Sequence, residues 1–381
     1  MLRMKRILYI GLGTALLLGA VPFVTHAQEL VPDTISVGKA RVLEMTNQHD
    51  TVIPGTDTPA TVQTLKIEVL EGPDKGQTPT FENNFTQLKE GDIFYVRHIS
   101  NPLDATDHWT VSDAYRLDLL IWLGILFLML LFVFGGVQGI RGLLSLAGSL
   151  ILIFYILLPG ILSGYSPILV SIGVASLIII AGSYVTHGFT KTTSAAVIGM
   201  LITVSITGAL AYTVVHMGHF SGYGSEESIY LNFNTQGGID MLGLLFGGIM
   251  IGLLGVLYDI AISQAIAVEE LFLAGTHMSR VDIYKRAIRI GREHIGALVN
   301  TLAIAYVGVA LPLLLLLTQT YSGSASLSSV LNSELFATEI VRILVGSIGL
   351  ILAVPITTFV AVWMLSKVSS ITHTGSHGHR H

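Results

Sequence analysis

Seven apolar stretches, and loops whose Lys and Arg fall on alternate sides of them, constrain this chain more than any other feature. The stretches run near 117–136, 142–162, 166–186, 194–216, 241–263, 295–318 and 340–365. As helices, each can cross hydrocarbon roughly 30 Å thick, which takes about 20 residues. The breaks at 164–166, 217–239 and 319–338 contain no Lys or Arg. The breaks between them, with the C-terminal tail, hold Arg141, Lys191, Arg280, Lys285, Arg286, Arg289, Arg292, Lys367 and Arg380. The positive-inside rule assigns the second set to the cytoplasm. The expectation is an α-helical polytopic membrane protein of seven transmembrane helices over 117–367, with its C-terminus cytoplasmic.

Composition narrows the chemistry. Charged residues make up 12% of the chain, against about 25% in soluble domains, so most of it faces lipid or other helices. With no Cys there is no disulfide, thiolate metal site or cysteine nucleophile. HExxH, GxSxG and Walker A patterns are absent too. Tyr258-Asp259 echoes half of an intramembrane aspartyl protease. That chemistry needs two carboxylates sharing a proton, and the partner GxGD does not occur. The reading is therefore not an enzyme, and no cofactor is expected. His216 and His219 with Glu226 and Glu227, and the His-rich tail 368–381, supply no firm metal-ligand set.

Ahead of the spans, residues 1–27 carry a basic start, an apolar run Ile7–Val24 and small residues at Thr25–Ala27. They read as a signal peptide or N-terminal anchor. Residues 28–116, with fourteen acidic and seven basic side chains, then form a small extracytoplasmic all-β domain. Thr64-Leu65-Lys66-Ile67-Glu68-Val69 alternates with period two. Gly72–Gly76 has turn chemistry, Ile93–Arg97 is a strand, and 37–45 and 109–111 are weaker strands. An OB-like barrel, or else a sandwich, fits five short strands.

Within the membrane part, the fifth helix is expected to run past the bilayer and stop at Gly275, opening a cytoplasmic helical loop over 265–294. Ser279 reads as an N-cap with Asp282 three residues on. Val281–Ile290 reads as a short amphipathic helix on the inner surface. The basic residues of 280–292 suit anionic lipid headgroups or a partner. Spans five, six and seven carry stripes of small or polar residues that let helices approach closely. The stripes are Gly248-Gly252-Gly255-Asp259-Ser263, Ala297-Thr301-Ala305-Gly308 and Arg342-Gly346-Gly349-Ala353-Thr357. Pro312 and Pro355 interrupt the last two spans, as a static kink or a hinge.

Asp259 is the residue with most chemistry. A carboxylate at mid-bilayer costs at least about 2.5–3.5 kcal/mol. Nineteen residues beyond Asp240, it lies roughly 28 Å from the outer end of its helix, near the inner boundary. Asn300 and Thr357 fall at similar depth. Two readings remain open. Asp259 is an ion- or proton-linked site with Asn300 and Thr357 as oxygen donors, or an interfacial acid bonded to Asn300 that fixes packing. Arg342, beside Glu339, belongs to the opposite end.

The pieces G-x-x-x-D-x-A-x-S at Gly255–Ser263, G-R-E-x-x-G at Gly291–Gly296, N-T-L-x-x-A-Y-x-G at Asn300–Gly308, L-P-L at Leu311–Leu313 and G-S-I-G-L-x-x-x-V-P at Gly346–Pro355 resemble the YibE/F family of bacterial multi-pass membrane proteins. Two departures are Glu293, where the family pattern has Asp, and Tyr258, where a smaller residue is usual. The resemblance implies a polytopic protein of the bacterial plasma membrane and singles out Asp259, Arg292, Glu293, Asn300, Thr301, Tyr306, Gly308 and Pro312. With Ser263 and Thr357 from the stripes, the candidate cluster is Asp259, Ser263, Arg292, Glu293, Asn300, Thr301, Tyr306 and Thr357, and an Arg292–Asp259 contact is expected. The functional expectation is a permease or transport component with a polar site near the cytoplasmic side. The alternative is a membrane scaffold, sensor or accessory subunit of an envelope complex. Expected partners are the lipid bilayer, a small solute or ion, and a membrane protein or second copy, with no nucleic acid.

Overall fold

The computed structural model describes residues 34–52, 55, 58–101, 106–275, 277–321 and 326–365. Residues 1–27, expected as a signal or anchor, and the His-rich tail 368–381 lie outside the described residues. The chain divides into two compact units, 1–127 and 128–381.

The first unit is an antiparallel sheet of five strands: β1 Thr34–Val52, β2 Pro59–Val69, β3 Thr80–Asn83, β4 Ile93–Asn101 and β5 Thr106–Ala114. Its order is β3-β2-β1-β4-β5. β1 is long enough to serve two neighbours: Thr34–Arg41 pairs with β4 and Ala40–Val52 with β2, with register shifts near Val42 and Met45. Such bulges bend a strand and increase its twist, and the edge strands β3 and β5 approach one another. The alternation in β2 does what its period dictates: Leu65, Ile67 and Val69 are buried with Val42, Phe94 and Val96. Each such side chain contributes about 1.5–3 kcal/mol of burial. Gln63 is buried beneath the loop 83–88, where it donates to Leu88 O and accepts from Leu88 N at 3.0 and 2.9 Å.

The helices are α1 Leu117–Leu152, α2 Leu158–Leu162, α3 Pro167–His187, α4 Lys191–Met217, α5 Glu226–Asn234, α6 Met241–Ala274, α7 Arg280–Val309, α8 Leu311–Tyr321, α9 Leu327–Leu331 and α10 Glu334–Leu365. A π turn, Ile153–Leu157, joins α1 to α2. Five runs are long and apolar enough to cross a membrane: Leu117–Leu162, Pro167–His187, Lys191–Met217, Met241–Ala274 and Glu334–Leu365.

Three of the seven expected stretches therefore take another form. The first two are one run of 46 residues, broken at Gly136 (φ 51°, ψ −140°). A Cβ on Gly139 would lie 2.7 Å from the Leu131 carbonyl oxygen. Residues eight apart in an unbroken helix are about 12 Å apart along the axis, so the chain bends sharply at Gly136. The sixth stretch ends one helix at Val309 and starts another at Leu311, because Pro312 has no N–H to continue the ladder. The segment 281–290 is not a separate surface helix. It forms the first turns of α7, with Ile283, Ala287 and Gly291 buried. The ends of α6 and α7 follow the sequence signals: α6 stops before Gly275, and Ser279 Oγ accepts from Asp282 N at 3.2 Å.

Close contacts give the helix directions. On α3 and α6, Pro167 meets Gly243, Ser171 meets Gly247 and Gly182 meets Tyr258, a constant offset, so the two run parallel. Leu253 meets Gly349 and Gln264 meets Thr358, so α6 and α10 are parallel too. α4 opposes α10, since Gly199 meets Thr357 while Thr207 meets Gly349. α7 opposes α6, since Tyr306 meets Gly252 and Ala287 meets Gln264. After the bend, the second arm of α1 opposes α3 through Ser145–Gly182 and Gln138–Thr186. Consecutive long helices thus alternate in direction. Arg141, Lys191 and Arg280, near the starts of the second arm, α4 and α7, share one end of the bundle.

Candidate functional site

α6 runs through the bundle and carries the site. Asp240 caps it, accepting from Gly243 N at 3.0 Å. One face, with Leu253, Leu257, Ile260, Ala261 and Ala265, is buried in the core. A second face carries the small stripe, with Gly248, Gly252, Gly255, Asp259 and Ser263 all exposed. The stripe abuts a cleft of about 510 Å³ between α6, α3 and the second arm of α1. Asp259 lines it with Gly255, Tyr258, Ser145, Ser149 and Thr186, against apolar Ile153, Ile178 and Leu254. Glycine at 182 admits the Ser145 hydroxyl, which would lie 2.8 Å from a Cβ there. Tyr258 donates to Gly182 O at 3.2 Å, which fixes the wall beside the acid.

Asp259 has no hydrogen bond or ion pair with another described residue, and neither the expected Arg292 contact nor a bond to Asn300 is made. Instead Arg292, Glu293, Asn300 and Thr301 project from the exposed face of α7. Thr301 is satisfied within its own helix, donating to Ala297 O at 2.9 Å. Tyr306 is half-buried, its hydroxyl over Gly252, and its ring is 5.8 Å from the Arg342 guanidinium. Thr357 is wholly buried and packs against Gly199 of α4. Of the eight candidates, Asp259 lines the cleft, Ser263 follows it one turn along the stripe, and the others do not line it.

Gln264, adjacent in sequence to Ser263, went unremarked at the sequence level and is 2% exposed. Its Nε2 donates to Ala287 O at 2.7 Å and to Thr358 Oγ1 at 2.8 Å, and Thr358 donates to Val354 O. One side chain thereby ties α6 to α7 and α10. Glycine at 291 makes room, since a Cβ there would lie 2.7 Å from Gln264 Oε1. The available signals were an amide inside an apolar helical run and the first glycine of G-R-E-x-x-G. At the start of α7, the Asp282 carboxyl is held below the usual range by the Ser279 hydroxyl against a small opposing effect of burial, with help from Lys285 and Arg286.

A family model described as YibE/F-like protein matches residues 123–367. No curated protein and no solved structure matches the chain.

Proposed function

Because the chain belongs to the YibE/F-like family, we propose that it is a permease or transport component of the bacterial plasma membrane, with an ion- or proton-linked site at Asp259. The observation that carries this reading is the cleft of about 510 Å³ that reaches a carboxylate without a hydrogen-bond or ion-pair partner among the described residues. In hydrocarbon a carboxylate held only for packing needs a bonded neighbour, and Asn300 does not serve as one. The alternating helix directions support seven passes: two from the arms either side of Gly136, four from α3, α4, α6 and α10, and one from α7 with α8. Gathering Arg141, Lys191 and Arg280 at one end supports a cytoplasmic assignment for that end, and with it an extracytoplasmic sheet domain. Strand order and the approach of β3 to β5 support the OB-like form of that domain.

The test is proton flux into proteoliposomes containing an entrapped pH dye, under an imposed potassium diffusion potential. Wild-type protein should conduct above protein-free vesicles, and Asp259→Asn should return flux to that baseline. Equal flux in both proteins removes Asp259 from the path. A second reading, a subunit that docks on another membrane protein or on its own copy, draws on the exposed glycines Gly248 and Gly255 of α6.

A further inference from the structure

The cleft at Asp259 has room for more than a proton. Its volume of about 510 Å³ falls in the range of small-molecule pockets, about 300–1,000 Å³. Close contacts and the helix directions order its walls along the bundle. Ser145, Gly182 and Tyr258 meet at one level, and Asp259 is the next residue of α6. Thr186 lies one turn to one side of that level. Leu254, Ile178, Ile251 and Ile153 lie to the other side, from one turn to roughly 10 Å away. The cleft is thus polar at one end and walled by carbon along the rest.

Among the described residues, Asp259 is the one charged side chain that lines this space. The ionisable residues adjoining the lining in sequence are Arg141 and His187; neither lines the cleft, and neither is ion-paired with Asp259. Two hydroxyl donors are already committed, Tyr258 to Gly182 O at 3.2 Å and Ser149 to Ser145 O at 2.9 Å. The polar end therefore presents a carboxylate beside hydroxyl oxygens, which attracts a cation and repels an anion.

We infer that the cleft binds an amphiphilic monocation, an organic ammonium with an aliphatic tail. Its head sits at Asp259, which gains the opposite charge it lacks, and its tail lies along Leu254, Ile178, Ile251 and Ile153. Each CH₂ buried there strengthens binding about fourfold. A zwitterion would bring its own carboxylate to a lining without a cation to meet it. A divalent metal ion would find one carboxylate where it takes six or more oxygens. This inference rests on the reading of Asp259 as an ion-linked site and names the class of ion.

The experiment is equilibrium dialysis of radiolabelled octyltrimethylammonium against the purified full chain in lipid nanodiscs, with binding to protein-free nanodiscs subtracted. Saturable binding is expected. Tetramethylammonium, which lacks the tail, and octanoate, which reverses the charge, should each compete at least about tenfold more weakly than unlabelled octyltrimethylammonium. Asp259→Asn removes the charge at nearly constant shape and should weaken binding at least about tenfold. Gly255→Leu should weaken it by a similar factor, since a Cβ at 255 meets nothing within 4 Å and a larger side chain there fills the cleft. Circular dichroism checks the fold of both variants, and Gly255→Leu decides if Asp259→Asn does not fold. Absence of saturable binding to folded wild type overturns the inference. So does octanoate competing as well as octyltrimethylammonium, which would mark a groove for alkyl chains alone, or unchanged binding in a folded variant. Asp259-dependent proton flux without cation binding overturns this inference and leaves the proton path standing; Asp259-dependent binding without flux supports the cation site and removes the transport reading.

Discussion

Replacing Gly199 by Ala should strain the α4–α10 crossing more than any other single methyl along that seam. A Cβ at 199 would lie 2.6 Å from Thr357 Oγ1, 2.9 Å from Thr357 Cα and 3.0 Å from its Cβ. Carbon atoms in comfortable contact are about 3.5–4.0 Å apart, so the shortfall is roughly 0.5–1 Å. Thr357 cannot relieve it by changing rotamer, because two of the three atoms are backbone or Cβ. The helices must separate, and separation loosens the reciprocal contact of Gly349 on Thr207 two turns away. Overpacking costs about 1–3 kcal/mol, and a backbone clash puts Gly199→Ala at the upper end, about 2–3 kcal/mol. The control is Gly296→Ala, where a Cβ meets nothing within 4 Å. There a helical Gly→Ala exchange should stabilise by about 0.5–1 kcal/mol. Unfolding of the purified chain by SDS titration, followed by circular dichroism, reads both. If Gly199→Ala stays within about 0.5 kcal/mol of wild type, or matches Gly296→Ala, the close crossing is wrong. Thr357→Ser should not rescue the variant, whereas Thr357→Gly should recover part of the loss.

Two further outcomes follow. In the sheet domain, burial works to raise the Asp74 pKa, but hydrogen bonds from Ser36 and His98 outweigh it and hold the carboxyl below its usual 3.8. A depressed folded value means stability that is present above the unfolded pKa and lost as pH falls through the folded one. Acid titration followed by hydrogen exchange at β4 should show that loss, and Asp74→Asn should lower protection at neutral pH while flattening the acid limb; an unchanged limb refutes the linkage. Since the chain has no Cys, single cysteines at Ser225 and Arg286 can report topology. An impermeant maleimide should label Ser225→Cys in intact cells and Arg286→Cys only after permeabilisation, and labelling both from one side would overturn the seven-pass arrangement.

Much of the local structure was legible because its causes are local. Leu65, Ile67 and Val69 went inward as period two requires, and Ser279 capped α7 because its hydroxyl reaches a nearby N–H. Gly275 fell where α6 ends. The readings that shifted depend on partners far along the chain. Asp259, Asn300 and Arg292 have comparable depth, but depth along an axis says nothing about rotation around it, and α7 turns Asn300 and Arg292 away. Thr357 belonged to a packing stripe, and its partner Gly199 sits in a helix with no stripe singled out. Gln264 is inconspicuous beside Ser263, because a rotation of about 100° per residue separates a surface position from the core. Glu334 clamps Ser221, 113 residues away, and no periodicity encodes that. Hydropathy outlined the apolar runs, yet whether 117–162 forms one rod or two arms depends on the backbone of Gly136.

That glycine also bears on how the protein enters its membrane. The 46 residues of Leu117–Leu162 contain no polar stretch at which an insertion machine could pause between one segment and the next. On the proposed seven-pass topology the two arms would enter as one hairpin, with Arg141 as the sole Lys or Arg near the bend. On that topology the membrane part would start from a fold in the chain that a single residue without a side chain permits.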